Sequence, residues 1–292
     1  MNIIRVYLVF IGIIILNAGT NNKQDSKYKK IIYTSDIHFS LPNGRWSFID
    51  NKYRHFLQKY SLEENIFFIN GDFVDNVPKN SKKEKYYREK EINYFLRTTQ
   101  KYISKNSKLL LNFGIGHDFG NLKVVESLVK QKSYGRYKWG GCNLVWFTIK
   151  KAAFLDSNNV NVQSLDKKTY EFLKKTLSSY KNILLFSHIP LRTPKTFKLG
   201  KWSNNRNLTI PLSDKLYSLL DKNKKNILAI FGGHIHKSYI SSYQGIPIYS
   251  FPFMDNYSSC EIEQMGYYIK ITPKNTNIKT QIIYLNFIKA HL

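Results

Sequence analysis

Lys30-Ile31-Ile32-Tyr33-Thr34-Ser35-Asp36-Ile37-His38 is the stretch that decides the reading of this chain. Its apolar, β-branched and aromatic run has the composition of a core strand. The run ends in hydroxyl residues, and a carboxylate and an imidazole follow two positions apart. The same grammar recurs four times. Residues 66–70 lead to Gly71-Asp72-Phe73-Val74-Asp75, and residues 109–113 lead to Gly116-His117-Asp118. Residues 182–186 lead to His188-Ile189-Pro190, and residues 227–231 lead to Gly233-His234-Ile235-His236. Five of the seven histidines therefore follow strand-like runs, at the positions where strands give way to loops.

Carboxylate oxygens and neutral imidazoles gathered from several segments are the donor set of hard and borderline divalent metals. Structural histidines would not concentrate at strand ends in this way. His55, within a helical stretch, and His291, beside the C-terminus, fall outside the pattern and are read as incidental.

In order and spacing these motifs resemble the calcineurin-like metallophosphoesterase superfamily: D-x-H, G-D-x-x-D, G-N-H-D/E, H and G-H-x-H. The match runs from Asp36 to His236. The resemblance implies two packed mixed β-sheets flanked by helices, an α/β sandwich with its site on the loops. It implies two divalent metal ions, with manganese, iron or zinc as the candidates. Asp36, His38 and His236 would complete the first site, Asp72 would bridge, and His188 and His234 would belong to the second. His117 would face the phosphate as a catalytic residue, oriented by Asp118. Asp75 is read as a support for the loop or for a ligand. The implied chemistry is hydrolysis of a phosphodiester or phosphomonoester by a metal-bridging hydroxide.

One position departs from the pattern. Gly116 stands where the third motif carries Asn, and a glycine has no side chain with which to ligate. The expectation is a weakened second site. Asn112 is the neighbouring amide, but it lies within the preceding strand. The alternative function is a catalytically weakened member that binds a phosphate-bearing ligand or an envelope partner. Within the superfamily, protein phosphatases place Arg-Gly after the second motif, whereas Asp75 precedes Asn76-Val77 here. Lipid A precursor hydrolases carry Arg at the position of His117. The Leu155-Asp156-Ser157 segment is similar to one found in some phosphodiesterase branches, and equally suits a capped turn at a strand end.

Outside the motifs, apolar spacing predicts helices over 46–60, 82–102, 121–130, 164–180 and 211–221. Residues 143–149 and 152–155 are expected to pair as strands. Residues 190–207, with Arg192, Lys195, Lys198, Lys201, Trp202 and Arg206, are expected to form a basic loop. Late hairpins are expected to join 237–242 with 246–249, and 267–271 with 279–287. Helices alternate with strands early and strands dominate late, which supports the same α/β arrangement.

The 292 residues, 42% hydrophobic and 15% aromatic, suffice for a single domain over 31–292. Arg5 precedes an apolar run from Val6 to Leu16 and then Asn17-Ala18-Gly19. Residues 1–19 are expected to be a signal peptide or an N-terminal anchor, and 20–30 a flexible leader. The protein is thus expected to be exported: periplasmic, secreted or anchored. Cys142 and Cys260 are the only cysteines and suit either one disulfide or two buried thiols. Forty-five basic against 20 acidic residues give a formal charge of +25. The expected partners are an anionic phosphoester substrate and nucleic acid or an anionic envelope surface. Nothing in the sequence identifies a stable protein partner.

Overall fold

A computed structural model of the chain describes residues 28, 30–42, 47–75, 84–114, 122–149, 165–200, 209–210, 212, 214–265, 268–276 and 282–286. The expected strand over 152–155, the Asp156-Ser157 segment and residues 1–27 lie outside these, as do Gly116, His117 and Asp118.

Two six-stranded mixed sheets face each other. The first is ordered β12-β11-β10-β1-β2-β3, with β1 Lys30–Thr34, β2 Ile66–Asn70, β3 Lys108–Asn112, β10 Ser259–Met265, β11 Tyr268–Lys274 and β12 Ile283–Asn286. The second is ordered β4-β5-β6-β7-β9-β8, with β4 Tyr134–Trp139, β5 Cys142–Phe147, β6 Ile183–Ser187, β7 Ile227–Gly232, β8 Tyr239–Tyr243 and β9 Ile246–Ser250.

Strand parity divides the core into three. Ile31, Tyr33, Phe68 and Leu110 of the first sheet meet Leu144, Trp146, Phe186 and Phe231 of the second. The rings of Phe68 and Phe186 stack with centroids 3.8 Å apart. The alternate residues Ile32, Phe67, Ile69 and Leu111 face outward into a core shared with helices α1 Ser47–Lys59, α2 Glu84–Tyr102 and α3 Leu122–Val129. Val145, Phe147, Ile183 and Leu185 do the same with α4 Lys167–Ser179 and α6 Lys215–Asn223. Because these strands are covered on both faces, they read as unbroken apolar runs. The fold class is the expected one.

Three local expectations are corrected. The antiparallel partner of β5 is β4, which precedes it, with Trp139 opposite Cys142. The stretch expected to be wholly loop contains a short helix, α5 Pro194–Leu199, with Thr193 and Thr196 forming a capping box. β10 was not anticipated and lies between β1 and β11. Cys142 and Cys260 are free thiols buried in the core between the sheets, and burial pushes both pKa values up.

β1, β2, β3, β5, β6, β7 and β9 run parallel within their sheets and end together at one pole. A polar layer ties the sheets together there. Asn70 donates through Nδ2 to Tyr33 Oη (3.1 Å) and to the carbonyls of Ser187 and Phe231 (3.2 Å each). Asn112 donates to Asn70 Oδ1 at 2.8 Å, and Tyr33 donates to the Gly232 carbonyl at 2.8 Å. Buried amides with all their partners in place fix how the strand ends meet.

Candidate metal centre

The loops that leave β1, β2, β6 and β7 deliver six side chains to this pole, in two groups. Asp36, His38, Asp72 and His236 form one, and Asp72, His188 and His234 the other; within each group the ligating atoms lie within 4.8 Å of one another. Asp72 belongs to both.

Backbone conformation aims these side chains. Asp36, His38, Asp72, His234 and His236 all have left-handed φ, between 47° and 67°. Such conformations cost of order 1–3 kcal/mol each for a side-chain-bearing residue and persist only where the surroundings enforce them. Here the enforcement is visible. Asp36 N–H donates to the Gly71 carbonyl (3.0 Å), and His38 N–H to the Asp72 carbonyl (2.9 Å). Gly233 N–H donates to the His188 carbonyl (2.8 Å). The motif loops are thus stitched to one another.

Glycine is required where they pass. A Cβ on Gly71, itself at φ +83°, would sit 2.3 Å from His188 Nδ1. One on Gly233 would sit 2.7 Å from Asp36 Oδ2, and one on Gly114 would overlap the Asp72 carboxylate.

The donor separations match ligands that share an ion. His38 Nε2 and His236 Nε2 are 3.0 Å apart, His188 Nε2 and Asp72 Oδ2 3.2 Å, and His236 Nε2 and Asp36 Oδ1 3.4 Å. Donors about 2.1 Å from one ion stand about 3.0–3.5 Å from each other. His188 is buried, and its Nδ1 lies 2.7 Å from the Asn70 carbonyl, which fixes the tautomer. Its Nε2 has no hydrogen-bond partner of good geometry. Burial disfavours the His188 cation, yet the Asp72 and Asp36 carboxylates outweigh burial and raise its pKa to about 10. The site therefore holds a field that favours cations, and a metal ion would take the place of that proton. The residues fit a pair of divalent ions.

Asp36, His38, Asp72 and His188 are buried, His234 is half-buried and the His236 side chain is 43% exposed. The centre is open on the side of the final motif.

Asp75 is buried with Oδ1 4.0 Å from His38 Nδ1, on the ring edge remote from His236, as suits a support. His55 lies exposed on α1, its Nδ1 2.7 Å from the Asn51 carbonyl. The expected catalytic pair His117 and Asp118, with Gly116, falls outside the described residues. Sequence reasoning missed the residues that brace the site. Ser35 donates to Asp36 Oδ2 at 2.6 Å, and Asn70 and Asn112 lock the layer beneath. Their signal was a polar residue closing each apolar run.

A family model described as calcineurin-like phosphoesterase matches residues 29–238. No match was found among curated proteins. Of the solved structures, GAP50, the anchor in the inner membrane complex of Plasmodium, aligns over 90% of each chain at 12% identity and a TM-score of 0.54. Phosphopantetheinyl hydrolase PptH of Mycobacterium tuberculosis aligns at 12% identity over 76% of this chain and 88% of its own, with a TM-score of 0.49. At 12% identity the likeness to GAP50 concerns the fold alone.

Proposed function

The chain belongs to the calcineurin-like phosphoesterase family, and on that premise we propose that it is a metal-dependent hydrolase of phosphoric esters with two divalent ions. Asp36, His38 and His236 would hold one ion, His188 and His234 the other, and Asp72 both. The observation that carries this reading is the position of Asp72, whose carboxylate is within ligating reach of both groups. Divalent ions bound there would lower the pKa of a water and neutralise charge on phosphoryl oxygens.

The protein's own part is positioning. Left-handed backbone and glycine contacts hold the donors before any ion arrives, so little reorganisation remains at the moment of reaction. The exposed edge at His236 is where an anionic phosphoester would enter. His117 would face the phosphate and protonate the leaving oxygen, with Asp118 keeping the imidazole charged.

A second reading rests on Gly116, which leaves the second group short of one family ligand. It is a family member that binds a phosphate-bearing ligand with little turnover.

One experiment separates the two. The full chain is stripped with chelator, and Mn²⁺ is titrated in with bis-p-nitrophenyl phosphate or p-nitrophenyl phosphate as substrate, beside Asp72→Ala. Metal-dependent turnover that vanishes in Asp72→Ala supports the hydrolase, and the ratio of the two rates assigns diester or monoester preference. Folded, metal-loaded protein with no turnover on either substrate favours the binding reading.

A further inference from the structure

Residues 252–258, the loop between β9 and β10, lie outside every motif, yet they touch the motif loops at both ends of the series. The loop leaves β9 beside the first motif. Pro252 pairs with Ser35 in an isolated parallel bridge, and the Phe253 N–H donates to the Ser35 carbonyl at 2.7 Å. Ser35 immediately precedes Asp36. The loop then passes the last motif. Asp255 Oδ2 accepts from the backbone N–H of Ser238 at 2.7 Å, and Ser238 Oγ donates to Ser258 Oγ at 3.1 Å. Ser238 stands two residues beyond His236. One loop thus joins the two segments that carry Asp36, His38 and His236.

The loop is held firmly. Thr34 Oγ1 donates to the carbonyls of Ser258 (2.9 Å) and Phe251 (3.2 Å), and Ser258 Oγ donates to the Asn275 carbonyl at 2.7 Å. Within it Asn256 and Tyr257 both have left-handed φ, 55° and 57°. A tyrosine is an outlier in that region and stays there only where its surroundings enforce it. Its ring packs edge-on against Phe253 with centroids 5.2 Å apart, and the Lys52 ammonium lies 5.3 Å from its centroid.

His236 is the candidate ligand that most needs outside support. Asp36, His38, Asp72 and His188 are buried, whereas the His236 side chain is 43% exposed and its backbone is left-handed at φ 55°. Upstream, the amides of Gly233 and His234 are tied to the His188 carbonyl and the Asp36 carboxylate. Downstream, the first tied amide among the described residues is that of Ser238, and its partner is Asp255. The Asp255 side chain is half-buried and forms no ion pair among the described residues. A carboxylate accepting from an amide makes a charge-assisted bond, about twice as strong as a neutral one.

We propose that Asp255 is a positioning residue of the metal centre. By holding the Ser238 amide it sets the backbone at His236, and so the place of the exposed imidazole against Asp36 and His38. The inference rests on the two-ion reading above and adds to it a residue from outside the motifs. Groups that orient a ligand in this way are worth about 10- to 100-fold in metal affinity.

The test is a double-mutant cycle between Asp255→Ala and His236→Ala in the full chain, with Mn²⁺ titrated in after chelation and the free ion followed by electron spin resonance. Every chain in the cycle carries His234→Ala, which removes a ligand of the other ion and keeps the backbone N–H that Asp36 uses, so that one site is read. Thermal melts in chelator establish folding. With His236 present, Asp255→Ala is expected to weaken Mn²⁺ binding about tenfold. Without His236 there is nothing for Asp255 to position, and the same substitution is expected to change affinity by less than about twofold. Asp255→Asn keeps an acceptor oxygen but not the charge, so about a threefold loss is expected, again only with His236 present. That variant carries the cycle should Asp255→Ala fail to fold. A loss that persists undiminished without His236 would make Asp255 a general brace of the fold and overturn the assignment, as would unchanged affinity with His236 present. The readout is binding, so a parent chain that takes up Mn²⁺ without hydrolysing either ester fails the hydrolase reading while the cycle still decides the role of Asp255. A parent chain that binds no Mn²⁺ overturns both.

Discussion

The backbone N–H of His234 donates to Asp36 Oδ1 at 2.8 Å, joining the last motif to the first across 198 residues. Asp36 Oδ2 accepts from Ser35 Oγ at 2.6 Å. The carboxylate is thus oriented at both oxygens before it meets a metal. Partners of this kind are worth about 10- to 100-fold in metal affinity. Ser35→Ala is expected to weaken binding at the Asp36–His38–His236 site about tenfold in a calorimetric Mn²⁺ titration, with turnover restored at saturating metal. Unaltered affinity would show that the His234 amide alone suffices.

Gly71 and Gly245 share φ +83°, but their surroundings differ. A Cβ at Gly245 meets nothing within 4 Å, whereas one at Gly71 would lie 2.3 Å from His188 Nδ1. Gly245→Ala should therefore cost only the backbone strain, about 1 kcal/mol. Gly71→Ala adds displacement of a buried imidazole and should cost about 2–4 kcal/mol, with loss of the second ion. Urea denaturation of both variants in chelator gives the comparison. Equal costs would mean that the His188 loop yields freely.

The pKa of His188 makes the metal-free protein sensitive to pH. Its folded value, about 10, exceeds the unfolded value of about 6.5. The stabilisation is therefore full below about pH 6.5 and is lost as pH rises through 10. In chelator, the Tm should fall across that window. With Mn²⁺ bound, His188 is already neutral, so the same window should be flat, and metal binding near pH 7.5 should release a proton measurable as a buffer-dependent heat.

The long apolar strands were legible because both faces are buried, and β1, β2, β6 and β7 carry no charged residue after Lys30. β10 was not legible, because Ser-Cys-Glu-Ile-Glu-Gln-Met alternates. Cys260 and Ile262 enter the core, while Glu261 and Glu263 face a side where Lys274 and Lys270 pair with them. β4 is an edge strand whose Arg136 and Lys138 are exposed, so its alternation was diluted by glycine and charge. α5 has only six residues, too few for periodicity, and rests instead on its Thr193 cap. For the candidate ligands, chain order pointed to the six residues that the fold brings together. What no motif disclosed was spacing between segments: the clearance at Gly71, the His234 N–H bond to Asp36 and the Asn70–Asn112 layer all depend on chain segments distant in sequence.

In the proposed reading His117 transfers a proton and does not ligate, so its removal should separate the two properties. His117→Ala should lower kcat by about 10²- to 10⁴-fold while the metal content per chain stays at the parent level. Loss of bound metal with unchanged turnover per ion would make His117 a ligand instead.

With Gly116 in the third motif, the second group has three candidate ligands among the described residues, Asp72, His188 and His234. Asn112 does not make up the deficit. Its Nδ2 donates to Asn70 Oδ1 (2.8 Å) and the Phe147 carbonyl (3.1 Å), and its Oδ1 accepts from Thr148 Oγ1 (2.9 Å) and Phe113 N–H (3.0 Å). An amide committed in this way could reach a metal only by breaking the layer that joins the sheets, at a cost of roughly 1–3 kcal/mol for each buried group left unpaired. The second ion is therefore expected to bind more weakly than the first, and Gly116→Asn to tighten it about tenfold or more by supplying a further ligand. Sequential Mn²⁺ titration of the parent and the variant measures this directly. Equal second-site affinity in the two would mean that three ligands and solvent already satisfy the ion, and that the departure at Gly116 has no bearing on activity.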